Sequence, residues 1–192
     1  VTSIFQYAFY SVETIDNIIF NESLLSIGEK AFYGCTGLTS LEIPSTVKRI
    51  SYSAFGECCN LESLTIPFVG EVINQTTNSN FGYIFGAKSS DANNKYIPEK
   101  LKEVMITGGN IIDDYAFKGC STLTKISVPS SVKTIGEYSF ADCNYLEKLD
   151  IDGYLSRNME TVCMFENMNI ESKCSVFDNS IYGFNDYAAK FL

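Results

Sequence analysis

Ile27-Gly28-Glu29-Lys30-Ala31-Phe32-Tyr33-Gly34-Cys35-Thr36-Gly37-Leu38-Thr39-Ser40-Leu41-Glu42-Ile43-Pro44 repeats its apolar skeleton after 23 residues. Ile50, Ala54, Phe55, Cys58, Leu61, Leu64, Ile66 and Pro67 occupy the offsets of Ile27, Ala31, Phe32, Cys35, Leu38, Leu41, Ile43 and Pro44. The same spacing relates Ile112, Ala116, Phe117, Cys120, Leu123, Ile126 and Val128 to Ile135, Ser139, Phe140, Cys143, Leu146, Leu149 and Ile151. A fainter copy opens the chain with Ile4, Ala8, Phe9, Val12, Ile15, Ile18 and Phe20. A unit this short cannot close a core alone, so successive coils must stack and bury one continuous apolar column.

Within each unit, Leu-x-x-Leu-x-Ile sets its last two apolar side chains two residues apart, on one side of an extended chain, before a proline or turn residue. This predicts strands at 15–20, 38–43, 61–66, 101–106, 123–128 and 146–151, with a fainter one at 170–177, all pairing in parallel. Phe9, Phe32, Phe55, Phe117 and Phe140, each preceded by a small residue, should stack as an aromatic ladder.

Two departures interrupt the period. After Pro67 comes a stretch rich in Asn, Ser and Thr around Phe81-Gly82-Tyr83-Ile84-Phe85-Gly86, which reads as a shortened ladder segment followed by a long excursion near 87–97. From Gly153 onward the pattern fades, leaving an alternating strand through Ile170, Ser172, Cys174 and Val176 and a short helix at 187–192. The expected organisation is one domain over 1–192, with repeats at about 1–67 and 101–152, an inserted loop at 68–100 and a C-terminal cap at 153–192.

The phrase running from Ile27 to Pro44, and again from Ile112 to Pro129, closely resembles the 23-residue leucine-rich repeat of BspA-like bacterial surface proteins. The Phe81 to Gly86 segment ahead of Leu101-Lys102-Glu103-Val104-Met105-Ile106 looks like an insertion of that family, and Ile181-Tyr182-Gly183-Phe184 is similar to its terminal segment. The resemblance implies an α/β leucine-rich-repeat solenoid, right-handed and strand-rich. A parallel β-sheet would form one face, with short helical turns and loops on the other. It also implies a secreted or surface-attached protein of host-associated bacteria, with relatives in some parasitic protists, used in adhesion to host proteins. The family's motif carries no catalytic residue.

Composition narrows the function independently. With 45% hydrophobic and 19% charged residues the chain is too apolar for disorder. A formal charge of −9 opposes nucleic acid and anionic membranes as partners. No apolar run approaches the roughly 18 residues of a membrane span, and the first residues lack a signal-peptide pattern, as in a mature or trimmed soluble fragment. The chain has 0 histidines, which removes Ser-His-Asp and Cys-His mechanisms and most zinc sites. An enzyme would have to work with carboxylate pairs alone, and none stands out. Gly82 to Ser89 has the wrong spacing for a phosphate loop, and Asp150-Ile151-Asp152-Gly153 lacks the acids a calcium loop requires downstream. No cofactor or metal is expected.

Cys35, Cys58, Cys120 and Cys143 share one offset with Val12, which favours buried free thiols. Bridges between adjacent rungs, Cys35 with Cys58 and Cys120 with Cys143, are the alternative, disfavoured because stacked side chains point the same way. Cys59 falls at a more exposed offset, and Cys163 with Cys174 could pair in the cap.

The outward strand positions form the one repeated surface, with six acids, three lysines and no aromatic among them. The candidate partner-binding residues there are Asn17, Glu42, Glu62, Thr65, Lys102, Glu103, Met105, Lys125, Ser127, Lys148 and Asp150. Lacking aromatic platforms for sugars, this face suits a polar, extended protein partner. The expected function is a non-enzymatic protein-binding or adhesion module, monomeric and extracellular, directed at a host or extracellular-matrix protein. Its alternative is a structural spacer or capping array that supports another domain of a longer surface protein.

Overall fold

The computed structural model describes residues 1–152, and each regular coil in it runs from a short strand through a chain of turns to a second strand. The short strands β1 (Ser3–Ile4), β2 (Ser26–Ile27) and β4 (Arg49–Ile50) pair in parallel, as do β7 (Ile111–Ile112) and β9 (Thr134–Ile135). The second strands are β3 (Ser40–Glu42), β5 (Ser63–Ile66), β6 (Glu103–Ile106), β8 (Lys125–Val128) and β10 (Lys148–Ile151), forming one parallel sheet in the order β3-β5-β6-β8-β10. Leu41, Leu64, Val104, Ile126 and Leu149 stand in register along it, all pointing into the core. Identical offsets are therefore neighbours in space, and the chain is a parallel-sheet solenoid with little helix.

The turn side is cross-linked by backbone as well. The N–H of Phe9 donates to Ala31 O (2.7 Å), that of Phe32 to Ala54 O (2.8 Å) and that of Phe117 to Ser139 O (2.7 Å). Inside this wall the rings stack, Phe9 on Phe32 at 5.0 Å, Phe32 on Phe55 at 5.5 Å and Phe117 on Phe140 at 5.5 Å between centroids. Phe32, Phe55, Phe117 and Phe140 are fully buried, while Phe9, on the end coil, is 40% exposed.

Tight turning imposes a cost that periodicity alone does not reveal. Tyr7, Lys30, Ser53, Tyr115 and Tyr138 share an offset and all have φ between 54° and 58° apart from Lys30 at 51°. A second offset, four residues on, is left-handed too, with Ser11, Glu57 and Asp142 at φ 55°, 56° and 59° and Gly34 and Gly119 at 72° and 71°. A side chain in this region costs about 1–2 kcal/mol, and glycine avoids that at some loss of unfolded-state entropy. Glu57→Gly should therefore stabilise the fold by about 0.5–1 kcal/mol, raising the melting temperature by about 2 °C in a scanning calorimeter.

Residues 68–100 are more ordered than a loop. A 3₁₀ turn, Phe81–Phe85, takes the place of a missing coil: Phe81 donates its N–H to Ala116 O (2.8 Å), and Phe55 donates its own to Ile84 O (2.9 Å). Phe81 stacks on Phe117 at 4.8 Å and meets Phe85 edge-on at 5.6 Å, so the insertion extends the stack of Phe117 and Phe140, while its tie to the Phe55 coil is the backbone bond to Ile84. The excursion beyond it folds into a second 3₁₀ turn, Ser90–Ala92, and a one-turn helix α1, Asn93–Tyr96.

Two expectations about the strands need correction, and three others fall outside the described residues. The strand predicted at 15–20 does not form, because the first coil drifts away from β3 after Ile15. The second strands begin later than predicted, since Leu38, Leu61, Leu123 and Leu146 belong to the turns that precede them. The strand at 170–177, the helix at 187–192 and the Cys163 to Cys174 pairing lie outside the described residues.

Candidate functional site

Because side chains alternate along a strand, the outer face of the five-stranded sheet carries two columns. One runs Ser40, Ser63, Glu103, Lys125, Lys148; the other runs Glu42, Thr65, Met105, Ser127, Asp150. The candidate residues on the strands thus come together as a single surface. Lys125 Nζ lies 3.7 Å from Glu103 Oε2 and Lys148 Nζ lies 3.1 Å from Asp150 Oδ2. Such exposed pairs contribute little stability, so their groups are free to exchange partners. Met105 interrupts the charges with an apolar side chain that is 50% exposed.

The remaining candidates line two hollows. Glu62, Lys102 and Glu103 border one of about 690 Å³, together with Glu99 and Lys100. Lys102 is not a free hand there, since its Nζ donates to Glu99 O (3.3 Å) and Thr122 O (3.2 Å). Lys100 Nζ is likewise held by Asn60 Oδ1 at 2.8 Å. Asn17, Glu42 and Thr65 border the other hollow, of about 490 Å³, opened by the drifting first coil. Asn17 itself is on no strand, because the segment that should have carried it onto the sheet stays apart.

The cysteine column is structural. Cys35, Cys58 and Cys143 donate their thiol hydrogens to the carbonyls of Phe9 (3.2 Å), Phe32 (3.3 Å) and Phe117 (3.1 Å), each in the preceding coil. These thiols and that of Cys120 are free and buried, and Cys59 is free and exposed. Burial pushes the Cys35 thiol up, that of Cys58 to about 12 and that of Cys120 well above its ordinary 9.0. Since the reagent must reach the sulfur, iodoacetamide at about pH 8 should label exposed Cys59 and spare buried Cys35, Cys58, Cys120 and Cys143 until the chain unfolds. Peptide mapping by mass spectrometry checks this, and native labelling of Cys58 at the Cys59 rate would contradict it.

One cluster has no forerunner in the sequence. Glu71 in the insertion accepts from Arg49 Nη1 (2.8 Å), Asn78 Nδ2 (2.6 Å) and the Tyr83 hydroxyl (3.1 Å). Burial and the neighbouring carboxylate raise Tyr83 to about 12. The cluster clamps residues 71–83 to β4, and its residues lie where no repeat offset could have flagged them. Among the described residues no group of three or more Cys, Asp or Glu side chains could hold a metal, and no helix is long and apolar enough to cross a membrane.

A family model for BspA type leucine rich repeat regions matches residues 2–106 and 110–189, in six copies. The chain belongs to the BspA-type leucine-rich repeat family. Its repeats account for the Ile-Gly, Ala-Phe and Leu-x-x-Leu-x-Ile steps alike, and this family and fold are generally non-enzymatic repeat modules. No curated protein matches it. Among solved structures it is similar to a leucine rich cell surface protein from Faecalibacterium prausnitzii, at 26% identity and a TM-score of 0.40, covering 78% of this chain and 39% of that one. It is also similar to a leucine rich repeat protein of T. pallidum, at 24% identity and a TM-score of 0.38, covering 78% and 51%. A leucine-rich repeat protein from Bacteroides ovatus matches at 21% identity and a TM-score of 0.37, covering 77% and 48%. The BspA-type chain thus spans about half, or less, of the length of these proteins.

Proposed function

We propose that this BspA-type solenoid is a non-enzymatic recognition module of a bacterial surface protein, monomeric, and directed at a host or extracellular-matrix protein. The observation that carries the reading is the outer sheet face: two in-register columns across five strands, charged and hydroxylated, broken only by the half-exposed Met105. A rigid backbone holds these groups about 4.8 Å apart, which pre-orders them and lowers the entropy lost on binding an extended partner. Membership of the BspA-type family supports the surface location.

The test is a binding screen against extracellular-matrix proteins, followed by charge reversal on the hit. Lys125→Glu and Glu103→Lys should each weaken binding about tenfold, roughly 1.4 kcal/mol. The double swap restores the exposed ion pair with its polarity reversed, so it should not recover binding. Unchanged affinity in both single variants would place the site elsewhere.

A further inference from the structure

The five-stranded sheet ends at β3, and among the described residues no strand pairs with its outer edge. On β5, Ser63 donates its N–H to Thr39 O (3.3 Å) and Thr65 accepts from the Ile43 N–H (2.9 Å), so these residues turn their backbone groups toward β3. By the alternation of a parallel ladder, the corresponding groups of β3, the N–H and C=O of Ser40 and Glu42, point away from β5. Residues 16–20 should receive them, since Ile18 shares the offset of Leu41. Among the described residues no backbone hydrogen bond joins that segment to β3. The coil is close at Gly37, where a Cβ would run into the Ile15 carbonyl, and then leaves the sheet. The hollow so formed, about 490 Å³, is lined by Ile18, Ile19, Phe20, Glu22 and Glu42. Ile19 is 89% exposed, and among the described residues neither carboxylate has an ion-pair or hydrogen-bond partner.

We propose that this edge takes an extended, cationic, β-prone segment of a partner protein as an added strand. The proposal rests on the protein-binding reading above only in that the partner is a protein; it assigns a different place and mode. Strand addition draws affinity from main-chain hydrogen bonds and selectivity from alternate side chains. The outward N–H and C=O groups of Ser40 and Glu42, unpaired among the described residues, supply the first. Glu22, Glu42 and the apolar wall supply the second, by asking for lysine or arginine alternating with β-branched residues. Among the described residues no cationic one lines the hollow. A second copy of the chain is the poorer occupant, because each copy carries a net charge of −9.

The probe is a capped octapeptide of four Lys-Val units, titrated calorimetrically into the whole chain while hydrogen exchange is followed at Ser40 and Glu42. The expected result is saturable binding that slows exchange at both amides. Glu42→Lys and N-methylation of the peptide's valines should each weaken it at least about tenfold, and the Glu-Val counterpart should not bind. Equal affinity for the N-methylated peptide would reduce the effect to charge attraction and overturn strand addition. So would protection of both amides in the free chain, which would mean that residues 16–20 already fill the edge. A dimer broken by Glu42→Lys would assign the edge to a second copy, again against the proposal. Lys125→Glu should leave peptide binding intact, so matrix-protein binding that survives this charge reversal sinks the face reading without touching this one, and failure of the Lys-Val peptide to bind the parent chain sinks this one without touching the face.

Discussion

Asn93→Ala should lower the free energy of unfolding by about 3–5 kcal/mol, read from the urea midpoint. The side chain is fully buried in a wall built of backbone. Its Oδ1 accepts from the Gly82 N–H (2.9 Å) and from Asn80 Nδ2 (3.1 Å), and its Nδ2 donates to Ala116 O (3.1 Å) and Lys118 O (3.0 Å). One amide thus ties the surrogate coil at 81–85 to the regular coil at 116–118. Ala116 O keeps its bond from the Phe81 N–H in the variant, so the loss falls on Gly82, Lys118 and Asn80. Orphaning a buried donor or acceptor costs about 1–3 kcal/mol each. The neighbouring Asn94 is exposed, and Asn94→Ala should stay within about 1 kcal/mol of the parent. Equal effects at the two positions would refute the hub.

Phe117→Ala is the second large effect, at about 3–5 kcal/mol. The Phe117 ring lies between Phe81 at 4.8 Å and Phe140 at 5.5 Å, with no exposure to solvent. Its removal leaves a cavity bounded by two stacked rings and a hydrogen-bonded backbone, neither of which can collapse to fill it. Phe9→Ala provides the contrast: its ring stacks on Phe32 alone among the described rings and is 40% exposed, so the cost should be about 1–2 kcal/mol. Nearest-neighbour coupling makes the comparison sharp, because each coil is supported only by those beside it.

Both predictions bear on what could be read from residues alone. The ring column and the core register were legible, because Phe32, Phe55, Leu41 and Leu64 recur at fixed offsets and a solenoid turns equal offsets into contacts. The short strands β2 and β4 were not, since a single Ile before a turn shows no alternation to recognise. Asn93 was invisible for another reason: it sits in a stretch without a repeat partner, where its neighbours are fixed by tertiary packing. At the site, the columns of Glu103, Lys125, Glu42 and Asp150 follow from period-two alternation, whereas the two hollows arise where the period fails. Lys102 shows the limit within a legible position, as its offset places it beside the face but its amine is spent on Glu99 and Thr122 carbonyls.

Stacking of equal offsets is the claim on which the face, the edge and the buried thiols all depend, and nuclear Overhauser contacts between selectively labelled phenylalanine rings test it most directly. Cross-peaks should link Phe32 to Phe55, Phe81 to Phe117 and Phe117 to Phe140, and none should link Phe55 directly to Phe140, because the surrogate coil and the Phe117 coil lie between them. Absence of the Phe32 to Phe55 contact in the folded chain would contradict the account.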